Sequence, residues 1–266
     1  MKREELISNI YAKKSVLCIG LDTDITKIPP ALLSEEDPVF EFNKAIIDAT
    51  HEYCVSYKIN TAFYEAQGIG GWKSMEKTLN YIPENIFTIA DAKRGDIGNT
   101  STQYAKAFFE KMNFDSITVA PYMGKDSVKP FLEFEGRWAI VLALTSNEGA
   151  FDFQYLKSEE GELFKQVISK VAGWGTSDNL MFVVGATKTD QLKAIRALIP
   201  EHFLLIPGVG TQGGNLDDVC VHAMNKDGGI LINVSRQIIY QSDQVDFAER
   251  ARDEAVSLQK KMAVYL

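Results

Sequence analysis

A cluster of charged residues follows an apolar run in the segment IADAKRGDIGNT, residues 89–100. Asp91 and Lys93 are two positions apart, so both point to the same side of an extended segment, and Asp96 follows in the next turn. Charges at the end of a buried strand are costly unless they are paired or used in chemistry. A lysine flanked by carboxylates keeps its proton, so Lys93 is a candidate general acid. The alternative is an ion-pair network that only stabilises the fold.

Other polar residues occupy similar positions, inside or directly after apolar runs. They are Asp22 after IGL, Lys58 in SYKIN, Ser146 in LTSN and Arg236 in NVSR. The carboxyl ends of the strands of a parallel barrel meet at one rim, where barrel enzymes carry their catalytic groups. If the runs are such strands, we expect these side chains to converge there with Asp91 and Lys93.

A glycine-rich segment, IPGVGTQGG at residues 206–214, is a candidate phosphate site. Glycine lets backbone N–H groups approach phosphate oxygens closely, and Arg236 at the end of the next strand offers a bidentate guanidinium. The loops after the seventh and eighth strands of a barrel frequently bind phosphate. A glycine-rich turn alone is weak evidence, but its combination with Arg236 favours phosphate binding.

The spacing of the apolar runs predicts an α/β fold, a (β/α)8 TIM barrel built as a single domain over residues 1–266. Eight runs are apolar throughout, as expected for parallel strands covered on both faces, and helical patterns separate them. The runs are 16–21, 55–59, 87–91, 116–120, 139–144, 181–186, 203–208 and 229–234. The two longest intervals, about 22–38 and 145–162, follow strands and are expected to form walls of a site at the barrel mouth.

Composition argues against two classes of partner. The formal net charge of −8 disfavours nucleic acid and anionic membranes, so we expect neither. The longest apolar runs are too short to span a bilayer, and the first fifteen residues predict an amphipathic helix instead of a signal peptide. Cys18, Cys54 and Cys220 stand in apolar contexts and predict buried, reduced thiols of a cytoplasmic protein.

The histidines and carboxylates do not predict a metal site. His51, His202 and His222 are expected to be structural, which leaves acid–base chemistry to lysine and carboxylate groups. Asp22, Asp91 and Asp96 are carboxylates of the kind that bind magnesium, but Lys58 and Lys93 would bring two competing positive charges into the same space. We therefore expect no metal.

With these residues assembled, the chain closely resembles the orotidine 5′-phosphate decarboxylases of a bacterial subgroup (type 2). The resemblance rests on four segments in order, with Lys58 on the second strand, and runs from residue 16 to residue 236. The segments are DAKRGDIGNT, APYMG, LTSNEGAFDFQ and PGVGTQGG. It implies conversion of orotidine 5′-phosphate to UMP and CO2 in de novo pyrimidine biosynthesis, without a cofactor.

The resemblance also implies a role for each site residue. Lys93 would donate the proton to C6 and Asp91 would face the departing carboxylate. Lys58 would contact Asp91 and a ribose hydroxyl, and Asp22 would bind ribose. The remaining substrate contacts implied are Ser146 at the pyrimidine edge, and Gln212, Arg236 and the backbone of Gly213 and Gly214 at the phosphate.

The family resemblance further implies a homodimer in which Asp96 and Thr100 reach the partner's site. Two alternatives stay open. One is a magnesium-dependent sugar-phosphate decarboxylase of the same superfamily, which would require an acidic residue in place of Lys58. The other is a phosphate-binding barrel without catalytic activity, which would bind a nucleotide and leave it unchanged.

Overall fold

The structure is a computed structural model that describes residues 1–186, 189–209 and 214–266. Within these residues eight parallel strands correspond to the eight apolar runs. They are β1 (Leu17–Gly20), β2 (Ser56–Asn60), β3 (Phe87–Arg94), β4 (Ser116–Val119), β5 (Trp138–Leu144), β6 (Leu180–Val184), β7 (Phe203–Pro207) and β8 (Ile230–Val234). Each strand is hydrogen-bonded to its neighbours in chain order and β8 is followed by β1, so the sheet closes. The predicted (β/α)8 barrel is therefore confirmed.

Helices lie between the strands in the described residues. Their bounds are α1 (Arg3–Lys13), α2 (Pro38–Thr50), α3 (Thr61–Glu65), α4 (Gly68–Tyr81), α5 (Gly98–Lys106), α6 (Lys125–Val128), α7 (Ala150–Phe153), α8 (Leu163–Ala172), α9 (Thr189–Leu198), α10 (Leu216–Ala223), α11 (Arg236–Ile239) and α12 (Phe247–Met262). Helix α2 begins as its sequence predicts, because the Asp37 side chain accepts the Phe40 N–H at 3.1 Å and Pro38 occupies the first turn.

The long interval after β5 contains a short antiparallel ladder of Lys157–Ser158 with Gly161–Glu162, in addition to α7. The interval after β1 contains a 3₁₀-helix, Pro30–Ser34. No helix among the described residues is both long and apolar enough to cross a membrane.

The chain divides into two compact units. The first comprises Met1–Arg3 and Lys93–Ile232, and the second comprises Glu4–Ala92 and Asn233–Leu266. The boundaries fall after the first residue of α1, inside β3 and inside β8.

The second unit contains β1, β2 and most of β3. Every residue of β1 is buried, and parallel pairing sets Gly20 opposite Lys58 and Asn60 opposite Asp91. Helix α12 packs on α2, where the Phe247 ring stacks on Phe42 at 5.2 Å. In this register Lys58 lies beside the last residue of β1 and Asp91 lies beside the last residue of β2, so both side chains belong to the carboxyl-terminal part of the strands.

The first unit contains β4 to β7. All residues of β4 and β6 are buried, and Trp138, the first residue of β5, has no exposed surface. The spacing of residues 99–112 predicts a helix with Tyr104, Ala107, Phe108 and Met112 on one face, but the chain departs from a regular α-helix there. A π-turn over Ala107–Lys111 closes with the Met112 N–H on the Ala107 carbonyl, which rotates the chain so that Phe108 and Phe109 are buried and Ala107 is exposed.

Candidate active site

Lys58 is the centre of a charged cluster in the second unit. Its ammonium lies 3.1 Å from Asp22 Oδ1 and 3.0 Å from Asp91 Oδ2, and only 6% of its side chain is exposed. Burial alone would lower the pKa of Lys58, but the two carboxylates outweigh it and raise that pKa above its usual value. Lys58 is therefore a permanent cation that holds the Asp91 side chain of β3 and the Asp22 side chain of the segment after β1.

The backbone around Asp22 is held by side chains that are distant in sequence. Tyr64 donates its hydroxyl hydrogen to the Leu21 carbonyl at 3.0 Å, and Tyr240 donates to the Asp22 carbonyl at 3.1 Å. The Tyr240 oxygen also accepts the Asp24 N–H at 2.7 Å. Burial raises the pKa of Tyr240 to about 12, so this hydroxyl keeps its proton. Asp22 is thus presented from a segment in which the Leu21 and Asp22 carbonyls and the Asp24 N–H are hydrogen-bonded before any ligand arrives.

Further polar side chains hydrogen-bond to this segment or to the residues that hold it. Asn43 donates to the Tyr64 hydroxyl at 2.9 Å and accepts from Thr23 at 2.6 Å. Ser235, which precedes α11, donates to the Gly20 carbonyl at 3.0 Å. A Cβ on Gly20 would meet the Ser235 Cβ at 2.7 Å, so this close approach requires glycine. Sequence reasoning did not find these residues, since a polar side chain at a helical position carries no sign of its distant partner.

Lys93 belongs to the first unit, and its backbone conformation is unusual. Its φ of 46° lies in the left-handed region, and its N–H donates to Thr118 Oγ1 at 2.9 Å. The side chain of Lys93 is exposed in the isolated chain. The sequence analysis places Asp91 and Lys93 on one side of an extended segment, and the left-handed φ of Lys93 departs from that extended backbone.

The turn after β3 carries the other two residues of the DAKRGDIGNT segment. The Asp96 side chain is half-buried, and its backbone N–H donates to Ser101 Oγ at 3.1 Å. Thr100 lies in the first turn of α5 and is exposed. Two apolar residues of this unit are also exposed nearby in sequence, Ile97 at 56% and, after β4, Tyr122 at 91%.

The remaining predicted ligands are spread over both units. Ser146 follows β5 and is half-buried, and Arg236 opens α11 and is exposed. Gly214 N–H donates to the Gly208 carbonyl at 3.2 Å, and a Cβ there would lie 2.5 Å from the Ala186 Cβ. Close packing is thus one reason for glycine at position 214. Gln212 and Gly213 lie outside the described residues.

The cysteines match their predicted character. Cys18, Cys54 and Cys220 are unpaired and buried. Burial raises the pKa of Cys18 to about 12 and that of Cys54 to about 11, so neither is a thiolate at neutral pH.

His202 is a partly buried group of the first unit. Its ring lies 5.6 Å from the Phe182 ring. Burial first, and then the nearby guanidinium groups of Arg3 and Arg196, lower the pKa of His202 to about 4, so it is neutral near pH 7.

No group of three or more potential metal-binding side chains occurs among residues 1–186, 189–209 and 214–266.

The cluster of Lys58, Asp22 and Asp91 supplies fixed charges that can act on a bound substrate electrostatically. A lysine held between two carboxylates fixes their positions, so they need no rearrangement when a charged substrate binds. A (β/α)8 barrel with charged side chains at the carboxyl ends of its strands places them where barrel enzymes carry their active sites. The fold and the Lys58 cluster are thus those of a (β/α)8-barrel enzyme.

Comparison with known proteins identifies the family. The family described as "Orotidine 5'-phosphate decarboxylase / HUMPS family" matches residues 15–251. The orotidine 5′-phosphate decarboxylases of Christiangramia forsetii and Flavobacterium johnsoniae are 62% and 61% identical to this chain over 266 residues. These alignments cover 99% of this chain and 98% and 97% of those proteins. The chain belongs to the orotidine 5′-phosphate decarboxylase / HUMPS family.

Solved structures agree with this assignment. The OMP decarboxylase of Leishmania donovani is 35% identical, with a TM-score of 0.82 over 98% of this chain and 99% of that one. The orotidine 5′-monophosphate decarboxylase of Plasmodium berghei is 27% identical, also with a TM-score of 0.82, over 98% and 99% of the two chains. The barrel of this chain is therefore the barrel of its family.

Proposed function

We propose that this protein is a carboxy-lyase that converts orotidine 5′-phosphate to UMP and CO2 in pyrimidine biosynthesis. The observation that carries the proposal is the Lys58 ammonium between Asp22 and Asp91, in a chain of this family, with Lys93 two residues beyond Asp91. The family membership supplies the reaction, and this cluster supplies a pre-arranged electrostatic site for it.

The reaction breaks the bond between C6 of the pyrimidine and the carboxylate carbon. The electron pair stays on C6 in an orbital with little delocalisation, and CO2 leaves. We assign Lys93 to stabilise this carbanion by its positive charge and then to transfer an Nζ proton to C6, after which the neutral amine regains a proton from water. Asp91 faces the substrate carboxylate, which departs as neutral CO2, so any repulsion between the two is relieved as the bond breaks.

The other residues bind the parts of the substrate that do not react. Asp22 and Lys58 hold ribose hydroxyls, and Ser146 contacts the pyrimidine edge. Arg236, with Gln212 and the backbone of Gly213 and Gly214, holds the phosphate. The Gly214 N–H already donates to Gly208, so a phosphate contact there requires that bond to open. Binding energy from the distant phosphate offsets the cost of ordering the site.

The proposed reaction uses no metal or organic cofactor. A magnesium-dependent relative would need an acidic side chain where Lys58 stands, and the Lys58 ammonium already occupies the space between two carboxylates. The test is turnover of orotidine 5′-phosphate by purified protein in EDTA, followed as UMP formed. We expect full activity in EDTA. Inactivity that magnesium restores would favour the metal-dependent rival, and tight nucleotide binding without turnover would favour a non-catalytic barrel.

We also propose that the protein is a homodimer in which Asp96 and Thr100 reach the partner's site. The exposed apolar side chains of Ile97, in the same turn as Asp96, and of Tyr122, after β4, support a surface that a second copy covers. The test mixes two inactive variants, Asp96→Asn and Lys93→Ala. If Asp96 serves the partner's site, random pairing restores about a quarter of the sites, because each mixed dimer contains one intact site. No recovery after verified subunit exchange contradicts the crossing.

A single domain and a cytoplasmic location complete the proposal. The family match from residue 15 to residue 251 spans parts of both compact units, which supports one folding unit. Three free, buried cysteines suit a reducing compartment. One cooperative unfolding transition, seen by two different probes, is the expected result for a single domain.

A further inference from the structure

The left-handed backbone of Lys93 is unusual for its place in the chain. Among the described residues, the other non-glycine residues with positive φ are Lys14 and Asn113. Lys14 directly follows α1, and Asn113 lies two residues after the π-turn that ends at Lys111. A left-handed residue is common at the end of a helix. Lys93 is instead inside a strand, β3, where a residue with a Cβ rarely adopts this conformation.

The segment around Lys93 is fastened to β4 at successive positions. The Lys93 N–H donates to Thr118 Oγ1 at 2.9 Å, and the Ala120 N–H donates to the Arg94 carbonyl at 2.8 Å. At Gly95, a Cβ would lie 2.9 Å from the Ala120 carbonyl oxygen, so the two backbones are in close contact. The attachment therefore runs along residues 93–95.

Thr118 is well suited to hold this conformation. It is 1% exposed and lies within β4, paired with Ile140 of β5, so its own backbone is fixed by the sheet. In a regular strand the pleat decides where a side chain points. A left-handed residue leaves that alternation, so the direction of the Lys93 side chain depends on a local conformation that the Thr118 hydroxyl stabilises.

We propose that Thr118 is a positioning residue for decarboxylation: its hydroxyl accepts the Lys93 N–H and thereby sets the direction of the proton-donating side chain. This inference rests on the proposed function. Thr118 does not act on the substrate itself, so its loss should slow the chemical step without weakening the binding of the nucleotide.

The experiment compares Thr118→Val, which removes the hydroxyl at nearly the same shape, with Thr118→Ser, which keeps it. We expect kcat to fall about 10- to 100-fold in Thr118→Val, since small misplacements of a catalytic group have effects of this size. KM and UMP binding should stay near wild type, and Thr118→Ser should recover most of kcat. The matched control is Thr50→Val, which removes a buried threonine hydroxyl bonded to the Ile46 carbonyl and Tyr57. It should lose stability and keep kcat.

The outcomes separate this inference from the proposed function. Wild-type protein without turnover contradicts the proposed function. An active wild type with Thr118→Val as active as Thr50→Val overturns the role of Thr118 and leaves the function intact. If Thr118→Val does not fold, Gly95→Ala supplies the test, because its Cβ would push the segment from β4 with the hydroxyl present. It should lower kcat and keep KM, and unchanged kcat overturns the inference.

Discussion

Replacing Lys58 by methionine tests the charged cluster most severely. Methionine has a similar length and no charge, so Lys58→Met keeps most of the packing and removes the cation between Asp22 and Asp91. Their oxygens each lie about 3 Å from the Lys58 ammonium, and so they are at most about 6 Å apart. Two carboxylates would then face each other with no positive group from Lys58 between them.

The cost can be calculated from that geometry. Two unit charges 6 Å apart repel by about 3 kcal/mol at an effective dielectric constant of 20. Removing one partner of a buried ion pair usually destabilises a protein by about 3–5 kcal/mol, which agrees with this estimate. In the variant, repulsion raises the carboxylate pKa in the folded state above its unfolded value. The folded variant then binds more protons than the unfolded chain, so its stability falls as pH rises through the carboxylate range.

The assay is urea unfolding of wild type and Lys58→Met at several pH values, with orotidine 5′-phosphate turnover measured in parallel. We expect a loss of about 3–5 kcal/mol near pH 7.5 that shrinks toward pH 4.5, and a large loss of turnover. Lys77→Met is the matched control, because the Lys77 ammonium lies 3.0 Å from Asp37 but half of its side chain is exposed. The unfolding free energy of Lys77→Met should remain close to that of wild type. Equal stability of Lys58→Met and Lys77→Met at pH 7.5 would refute the reasoning.

Three further substitutions test separate parts of the account. Tyr240→Phe removes the hydroxyl bonded to the Asp22 carbonyl; we expect a stability loss of about 1–3 kcal/mol and a raised KM, and an unchanged KM would contradict the supporting role. The wild-type protein should lose stability as pH falls from about 6.5 to 4, because the unfolded chain binds a proton at His202 that the folded chain excludes. His202→Gln should remove this pH dependence, which we expect to amount to about 1–2 kcal/mol of unfolding free energy in urea titrations, since His202 is partly exposed. Arg236→Ala should lower kcat/KM about 100-fold, with partial rescue by added guanidinium, and an unchanged kcat/KM would remove Arg236 from the phosphate site.

The strands of the barrel could be predicted because a strand that is buried on both faces is apolar at every position instead of at alternate positions. Each of the eight apolar runs overlaps a strand within a few residues. The convergence of Lys58 and Asp91 on one rim could also be anticipated from residue type and spacing, because both stand in or at the end of neighbouring apolar runs. Their direct contact, which the structure shows, is implied in the sequence only by the family resemblance.

Other features depend on contacts that residue type does not reveal. Tyr240 is 218 positions from Asp22, and nothing in the sequence near either residue indicates that the hydroxyl of one holds the carbonyl of the other. The left-handed φ of Lys93 contradicts the preference of its residue type and follows from its tertiary contacts. The π-turn after α5 could not be predicted from residue type either, and its one extra residue shifts the direction of every later side chain on that helix.

The most direct test of the central claim is the rate of CO2 release by Lys93→Ala compared with wild type, with UMP affinity measured on the same samples. The account predicts that turnover falls by about 1,000-fold or more, as expected when one group supplies both a stabilising charge and a proton. UMP binding should be retained, since Lys93 acts on the reacting carbon. Near-normal turnover in Lys93→Ala would contradict the account.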